Sequence, residues 1–202
     1  MKILLATHNK HKLEELLKIL PAEDNKGRKI EYVSFLDFPQ IAEPQETGTT
    51  LKQNAQLKAV YGLQKTGLIS IADDTGLTVD ALGGAPGVHS ARYAYPDKAD
   101  YPANNEKLLK ELSALKGKER SASFTTVAAL ALPDGKIIFK EGKVSGFIAQ
   151  DYSGKNGFGY DPLFICAETN KTMAEMTPQE KNSISHRARA FAQLSEIIKG
   201  LE

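Results

Sequence analysis

The stretch ISIADDTG, residues 69–76, joins a short apolar run to two adjacent carboxylates, a hydroxyl and a glycine. The apolar part predicts a buried strand, and the carboxylates are expected at its C-terminal end, where open α/β sheets bind ligands. Because side chains alternate along a strand, Asp73 and Asp74 should point in different directions, one facing a site and the other supporting it. Taken alone, the same residues are also compatible with a loop of solvated acids.

Length, charge and cysteine content narrow the class of protein. The 202 residues fit one large domain or two small lobes. The 26 basic and 25 acidic side chains are nearly balanced, which argues against a stable nucleic-acid partner. Cys166 is the only cysteine, so neither an intramolecular disulfide nor a cysteine-rich zinc site is expected. We find no signal peptide and no apolar run of roughly 18 residues, so we expect a cytoplasmic protein without a membrane partner.

A strand-to-helix junction is predicted near the start of the chain, where residues 2–6 form the first strand. The helix after it is predicted by leucines at helical spacing on one apolar face, Leu13, Leu16, Leu17 and Leu20. Free backbone N–H groups at a helix N-terminus favour an anion, and residues 7–12 add hydroxyl, amide and lysine side chains. The alternative is simple helix capping by Thr7 or Asn9, with the lysines on a solvated surface.

Glu46 precedes a second helix, predicted at residues 51–65. Together with Asp74, its carboxylate could hold Mg²⁺, which prefers oxygen ligands and keeps several waters. The alternative for Glu46 is a solvated loop acid. Asn54 and Lys58 are four residues apart and share one helix face. Lys58 could reach a phosphate, although an exposed lysine is the default expectation.

The second half of the chain predicts a mixed sheet, because residues 121–132 and 136–147 flank the turn Pro133-Asp134-Gly135 and read as a β-hairpin. The glycine-rich residues 153–162 follow. There, Phe158 and Tyr160 are expected to be exposed for stacking on a flat ring, unless both are core aromatics in a turn. Asp161 would accept from ring N–H donors or join a supporting network.

Three cationic or titratable side chains, Lys181, His186 and Arg187, lie close together near the start of the last helix. They could line a pocket for a base edge and a phosphate. The alternative is a set of charged side chains on an exposed helix.

Together these motifs resemble the inosine triphosphate pyrophosphatase family. They occur in the family's order, as Thr7-x-Asn9-x-x-Lys12, Glu46-Thr47-Gly48, IADDTGL at 71–77, LGGAPG at 82–87, SARY at 90–93, GFGYDP at 157–162 and SHR at 185–187. Two departures are mild. His8 stands where many members have a small residue, and Thr75 keeps the hydroxyl of the more common serine.

The resemblance implies an elongated mixed α/β fold (Maf/Ham1-like), a single domain over residues 1–202 whose two lobes flank an active-site cleft. It implies a homodimer that uses Mg²⁺ to hydrolyse the purine nucleoside triphosphates ITP, dITP and XTP to monophosphate and pyrophosphate. Asp74 matches the proton acceptor and a metal contact, and Glu46 matches a metal ligand. The substrate-binding positions implied are Thr7, His8, Asn9, Lys10, His11, Lys12, Thr75, Phe158, Gly159, Tyr160, Asp161, Lys181, His186 and Arg187.

In the expected mechanism, water attacks the α-phosphorus, and Asp74 orients or deprotonates that water. Mg²⁺, Lys12 and the helix N-terminus would neutralise the phosphates. His186 and Arg187 would donate to the 6-oxo group of the base. Two alternatives stay open: a pyrophosphatase for other nucleotides, as in Maf-type relatives, and a non-catalytic nucleotide sensor.

Overall fold

The computed structural model describes residues 1–201 and has a mixed α/β fold. The strands are β1 (Lys2–Leu5), β2 (Glu31–Ser34), β3 (Ile69–Val79), β4 (Pro86–Gly87), β5 (Ser121–Ala131), β6 (Ile137–Ile148) and β7 (Phe164–Cys166). The α-helices are α1 (Lys10–Ile19), α2 (Leu51–Thr66), α3 (Tyr101–Glu111), α4 (Pro178–Ile184) and α5 (His186–Lys199). None of the helices within residues 1–201 is both long and apolar enough to cross a membrane.

The sheet has seven strands in the order β2-β1-β3-β5-β6-β7, with β4 paired to β3. Strand β1 runs parallel to both β2 and β3, whereas β3/β4 and β6/β7 are antiparallel. β5 and β6 are neighbours joined by a tight turn, in which Leu132 N donates to Lys136 O at 2.9 Å. The predictions of a mixed sheet and of a hairpin are therefore confirmed.

The chain divides into two compact units, unit 1 with residues 1–74, 126–142 and those from 187 on, and unit 2 with residues 75–125 and 143–186. Unit 1 has a core on each face of β1, because alternate side chains of a strand point to opposite faces. Ile3 and Leu5 pack with residues of α1 and α5, and Leu4 packs with residues of α2. These two cores set the surroundings of the carboxylates described below.

Helix α1 buries a narrower stripe than the leucine spacing predicts. Leu16 is 2% exposed and Leu20 is 8% exposed, but Leu17 is 50% exposed. Successive helical residues are rotated by about 100°, which puts Leu17 at the edge of the stripe that Leu13, Leu16 and Leu20 define. The expectation that Leu17 shares the buried face is wrong.

Unit 2 has a separate core, formed by the second half of β3, helix α3 and strands β5 to β7. Strands β6 and β7 approach closely at Gly146, where an added Cβ would lie 2.0 Å from the Ile165 carbonyl oxygen. Arg120 is buried, and its guanidinium donates to the carbonyl oxygens of Leu112 (2.6 Å) and Ile148 (2.7 Å). Helix α3 is thereby tied to the C-terminal end of β6.

Candidate active site

Asp73 and Asp74 lie in the middle of β3, not at its end. The pairing of β1 with β3 stops at Leu5 and Ile71, but β3 continues to Val79 because β4 and β5 pair with it further along. The prediction of a strand end is therefore wrong. The two carboxylates instead come directly after the last β3 residues that pair with β1.

The two carboxylates point to opposite faces of β3, as the alternation predicts. Asp73 follows Ile71 on the face of α1 and α5, and Asp74 follows Ala72 on the face of α2. Asp73 is 4% exposed and Asp74 is 7% exposed. The alternative of solvated acids is wrong, and buried carboxylates need ionic or hydrogen-bonding partners.

The partners of Asp74 come from α2 and from the segment before it, and form the Asp74 cluster (Glu46, Asn54, Lys58, Asp74). Lys58 Nζ lies 3.0 Å from Asp74 Oδ1 and 2.8 Å from Glu46 Oε1. Asn54 Nδ2 donates to Asp74 Oδ2 at 3.2 Å. The i, i+4 spacing of Asn54 and Lys58 on one helix face delivers both donors to the same carboxylate.

Lys58 is buried at 5% exposure, so the default expectation of an exposed lysine is wrong. Burial disfavours its ammonium, but the charges of Asp74 and Glu46 outweigh burial and raise the pKa of Lys58 above its ordinary value. Burial also raises the pKa of the Asp74 carboxyl, against the opposing attraction of Lys58. Asp74 is therefore a stronger base than an exposed aspartate.

The Asp74 cluster suits a magnesium ion that is shared with a substrate. Within residues 1–201, no group of three or more His, Cys, Asp or Glu side chains could hold a metal ion. Glu46 and Asp74, however, converge on the single Lys58 ammonium, so two carboxylate oxygens already meet at one cation. Mg²⁺ is commonly held by one or two carboxylates together with waters and substrate phosphates. The donor set fits that mode of binding.

The partners of Asp73 form the Asp73 cluster (Lys12, Glu15, Asp73, Arg187). Lys12 Nζ of α1 lies 3.1 Å from Asp73 Oδ2, and Arg187 Nη2 of α5 lies 3.2 Å from the same oxygen. Arg187 Nη1 contacts Glu15 Oε2 at 2.5 Å. Burial alone would raise the pKa of Asp73, but Lys12 and Arg187 hold it well below its usual range. Asp73 is therefore an anion that anchors two cations.

At the junction before α1, Asn9 is the N-cap, and its side chain accepts from Lys12 N at 3.2 Å. Thr7 Oγ1 accepts from Asn9 N at 3.1 Å, so the capping interpretation is correct for this backbone. It is wrong for Lys12, whose side chain reaches the buried Asp73. The other predicted residues here are half-buried His8 and exposed Lys10 and His11.

Unit 2 holds the other predicted residues, including the half-buried Thr75 in β3 and the loop of residues 157–161. Asp161 Oδ2 accepts from Phe158 N at 2.7 Å and from Lys181 Nζ at 2.6 Å. Gly157 has φ +75°, and an added Cβ would lie 2.1 Å from Asp161 Oδ2. Asp161 thus belongs to a supporting network, one of the two roles predicted for it.

The two aromatic residues of this loop differ in exposure. Phe158 is half-buried, with Lys181 Nζ 5.2 Å from its ring centroid. Tyr160 is 3% exposed, belongs to the core of unit 2 and donates its hydroxyl to Ser90 O at 2.8 Å. The expectation of an exposed Tyr160 is wrong, because its hydroxyl has a partner inside the core.

Helix α3 contributes two residues that the sequence analysis missed. Asn105 Nδ2 donates to Gly159 O at 3.0 Å, and the Tyr101 ring lies edge-on to Phe158 with 6.2 Å between centroids. The available signal was a weak one, since asparagine is a poor helix former inside a predicted helix and often has another role there. Both residues support the 157–161 loop.

Lys181, His186 and Arg187 are all buried, at 5%, 3% and 2% exposure. The alternative of charged side chains on an exposed helix is therefore wrong. The His186 ring stacks on Phe124 at 4.5 Å between centroids and 15° between planes. Thr177 and Glu180 form a capping box at the start of α4.

Fold and site define a mixed α/β protein with buried carboxylates neutralised by lysine and arginine, a setting suited to phosphorylated ligands. The sequence profile of the Ham1 family matches residues 3–197, and the chain belongs to that family.

Individual relatives match over nearly the whole chain. A dITP/XTP pyrophosphatase of Elusimicrobium minutum is 52% identical over 200 residues, which cover 98% of this chain and 100% of the relative. A dITP/XTP pyrophosphatase of Listeria monocytogenes is 49% identical over 197 residues, covering 98% and 94% of the two chains. The solved HAM1 protein of Coxiella burnetii has a TM-score of 0.86 and 39% identity, and each chain is covered to 100%.

Proposed function

We propose that this chain hydrolyses non-standard purine nucleoside triphosphates, ITP, dITP and XTP, to the monophosphate and pyrophosphate. The observation that carries the proposal is the Asp74 cluster, in which the buried Asp74 and the half-buried Glu46 carboxylates surround one lysine, in a chain similar over nearly its full length to proteins named dITP/XTP pyrophosphatase. The activity would remove these non-standard triphosphates from the nucleotide pool, and the proposed location is the cytoplasm. A homodimer is proposed from the family resemblance alone.

In the proposed reaction, water attacks the α-phosphorus and pyrophosphate leaves. Asp74 orients the water and takes its proton, and burial of the carboxyl favours that role. Lys12 and the N-terminus of α1 bind the triphosphate. Glu46 and Asp74 would hold Mg²⁺, which when bound supplies positive charge against the phosphates.

Base recognition is proposed for the 157–161 loop and for Lys181 and His186. His186 can donate to the 6-oxo group of hypoxanthine or xanthine, whereas adenine would present a 6-amino donor to this donor. Arg187 was expected to donate to the same oxygen, but its guanidinium contacts Asp73 and Glu15. We therefore assign base discrimination to His186 first and keep Arg187 as a substrate-binding residue that acts through the Asp73 cluster.

His186→Ala should lower the preference for ITP over ATP by about tenfold to hundredfold. In the parent, bound ATP leaves the buried donor of His186 unsatisfied at a cost of roughly 1–3 kcal/mol, and the variant removes this penalty against ATP. The measurement is kcat/KM for both nucleotides. His89→Ala is the matched control, because His89 is exposed and its loss should leave the preference unchanged. An unaltered ITP-to-ATP ratio in His186→Ala would remove this residue from base readout.

The proposed function is tested by incubating the protein with ITP, XTP, dITP, GTP, ATP and dUTP in the presence of Mg²⁺. Pyrophosphate is scored separately from orthophosphate. We expect pyrophosphate from ITP, XTP and dITP and little from ATP. Orthophosphate as the product would move the attack to another phosphorus. Turnover mainly of pyrimidine or canonical triphosphates would favour the Maf-type alternative, and tight ITP binding without turnover would favour a sensor.

A further inference from the structure

Asn54 connects the two carboxylate-bearing segments of the Asp74 cluster. Its Oδ1 accepts from Gly48 N at 2.8 Å, and its Nδ2 donates to Asp74 Oδ2 at 3.2 Å. We propose that Asn54 is a positioning residue, whose amide holds Asp74 and the Glu46–Gly48 segment in one arrangement for catalysis. The proposal rests on the proposed function and adds a residue that none of the predicted roles includes.

Asn54 helps to fix the orientation of the Asp74 carboxylate. Its Oδ1 faces Lys58 Nζ at 3.0 Å, and its Oδ2 faces Asn54 Nδ2. The terminal torsion of an aspartate is broad, so a single donor on one oxygen leaves the carboxylate plane poorly defined. Two donors on two oxygens define that plane. Asn54 therefore decides which lone pairs of Asp74 remain for a ligand.

Asn54 also holds the segment that carries Glu46. Gly48 approaches α2 so closely that an added Cβ would lie 2.6 Å from Asn54 Oδ1 and 2.7 Å from Gln53 Cβ. Glu46 itself contacts Lys58, one turn further along the same helix face. The segment is thus tied at two points to residues that also hold Asp74.

The hydrogen bonds that Asn54 makes with Gly48 N and Asp74 Oδ2 form the Asn54 clamp. This clamp requires an amide side chain. Gly48 offers a donor and Asp74 offers an acceptor, so the residue between them must accept on one side and donate on the other. Asparagine does both. Asn54 is 2% exposed, so water has little access to replace either hydrogen bond. Aspartate at this position would keep the acceptor for Gly48 but place a second carboxylate against Asp74, and leucine would remove both bonds.

The experiment compares Asn54→Asp and Asn54→Leu with the control Gln53→Ala. Gln53 caps the same helix terminus, since its Oε1 accepts from Thr49 N (2.8 Å) and Thr50 N (3.2 Å), but it is exposed. We expect kcat for the best nucleotide to fall by about 100-fold in both Asn54 variants, with KM within about threefold. In Gln53→Ala we expect a lower melting temperature and kcat within about twofold of the parent.

A second readout does not depend on catalysis. Hydrogen exchange of the Gly48 amide, followed by NMR on the protein without nucleotide, should be slow in the parent and in Asn54→Asp and fast in Asn54→Leu. Retained kcat in Asn54→Asp, an equal kcat loss in Gln53→Ala, or fast Gly48 exchange in the parent would overturn the proposal. If the parent hydrolyses no nucleotide, the proposed function fails, and the exchange measurement alone decides whether the clamp exists.

Discussion

Replacing Asp74 by asparagine should lower kcat for ITP by about 10³-fold, the scale on which a general base contributes. Asparagine keeps the size of the side chain, and its single amide oxygen can still accept from Lys58, but its NH₂ group then faces the Nδ2 donor of Asn54. It cannot take a proton from water, and it is a weaker ligand for Mg²⁺. Nucleotide affinity should change much less than kcat, because Lys12 and the α1 N-terminus are untouched. Single-turnover rates and equilibrium titration with ITP separate the two quantities.

Asp134→Asn is the matched control for this prediction. Asp134 accepts from the backbone N of Lys136 at 2.9 Å and lies exposed in the β5–β6 turn, away from the Asp74 cluster. The Asp134→Asn variant should retain full turnover of ITP. Near-normal turnover in Asp74→Asn would contradict the assignment of the base. A loss of ITP binding equal to the loss of kcat would instead place Asp74 among the binding groups.

Local sequence patterns were sufficient to predict much of the fold. Helix α2 was predicted at residues 51–65 and forms at Leu51–Thr66, between the capping residues Thr50 and Gly67 that lie next to it in the sequence. The β5–β6 hairpin was predictable for a similar reason, since its turn residues are contiguous. The opposite directions of Asp73 and Asp74 followed from strand geometry alone.

Three of the errors, those on the end of β3, on Lys58 and on Tyr160, have one physical cause, because partners far away in the sequence decided the outcome. The end of β3 was misplaced because its later partners begin only at Pro86. Lys58 was expected at the surface because nothing near it in sequence shows that Glu46 and Asp74 bury its ammonium. Tyr160 was expected to be exposed because its hydroxyl partner, Ser90 O, lies 70 residues earlier. Such contacts leave no periodic signal.

Replacing Lys181 by methionine should reduce the free energy of unfolding by about 3–5 kcal/mol, the cost of breaking a buried ion pair. Lys181 Nζ lies 2.6 Å from Asp161 Oδ2, and both residues are at most 5% exposed. The variant leaves a buried carboxylate that retains the hydrogen bond from Phe158 N but has lost this cation. The 157–161 loop should loosen with it, so we also expect KM for ITP to rise. Urea unfolding measures the first effect, and steady-state kinetics measure the second.

Lys171→Met is the control that separates the effect of breaking a buried ion pair from the effect of losing a positive charge. Lys171 pairs with Glu180 at 3.2 Å, but the two side chains are 51% and 49% exposed. Solvent-exposed pairs contribute about 0–1 kcal/mol, so this variant should unfold almost like the parent. Adding Asp161→Asn to Lys181→Met should recover part of the stability, because the uncompensated charge is then removed, while KM for ITP stays high. Equal unfolding free energies for Lys181→Met and Lys171→Met would show that the Lys181–Asp161 pair does not hold the loop.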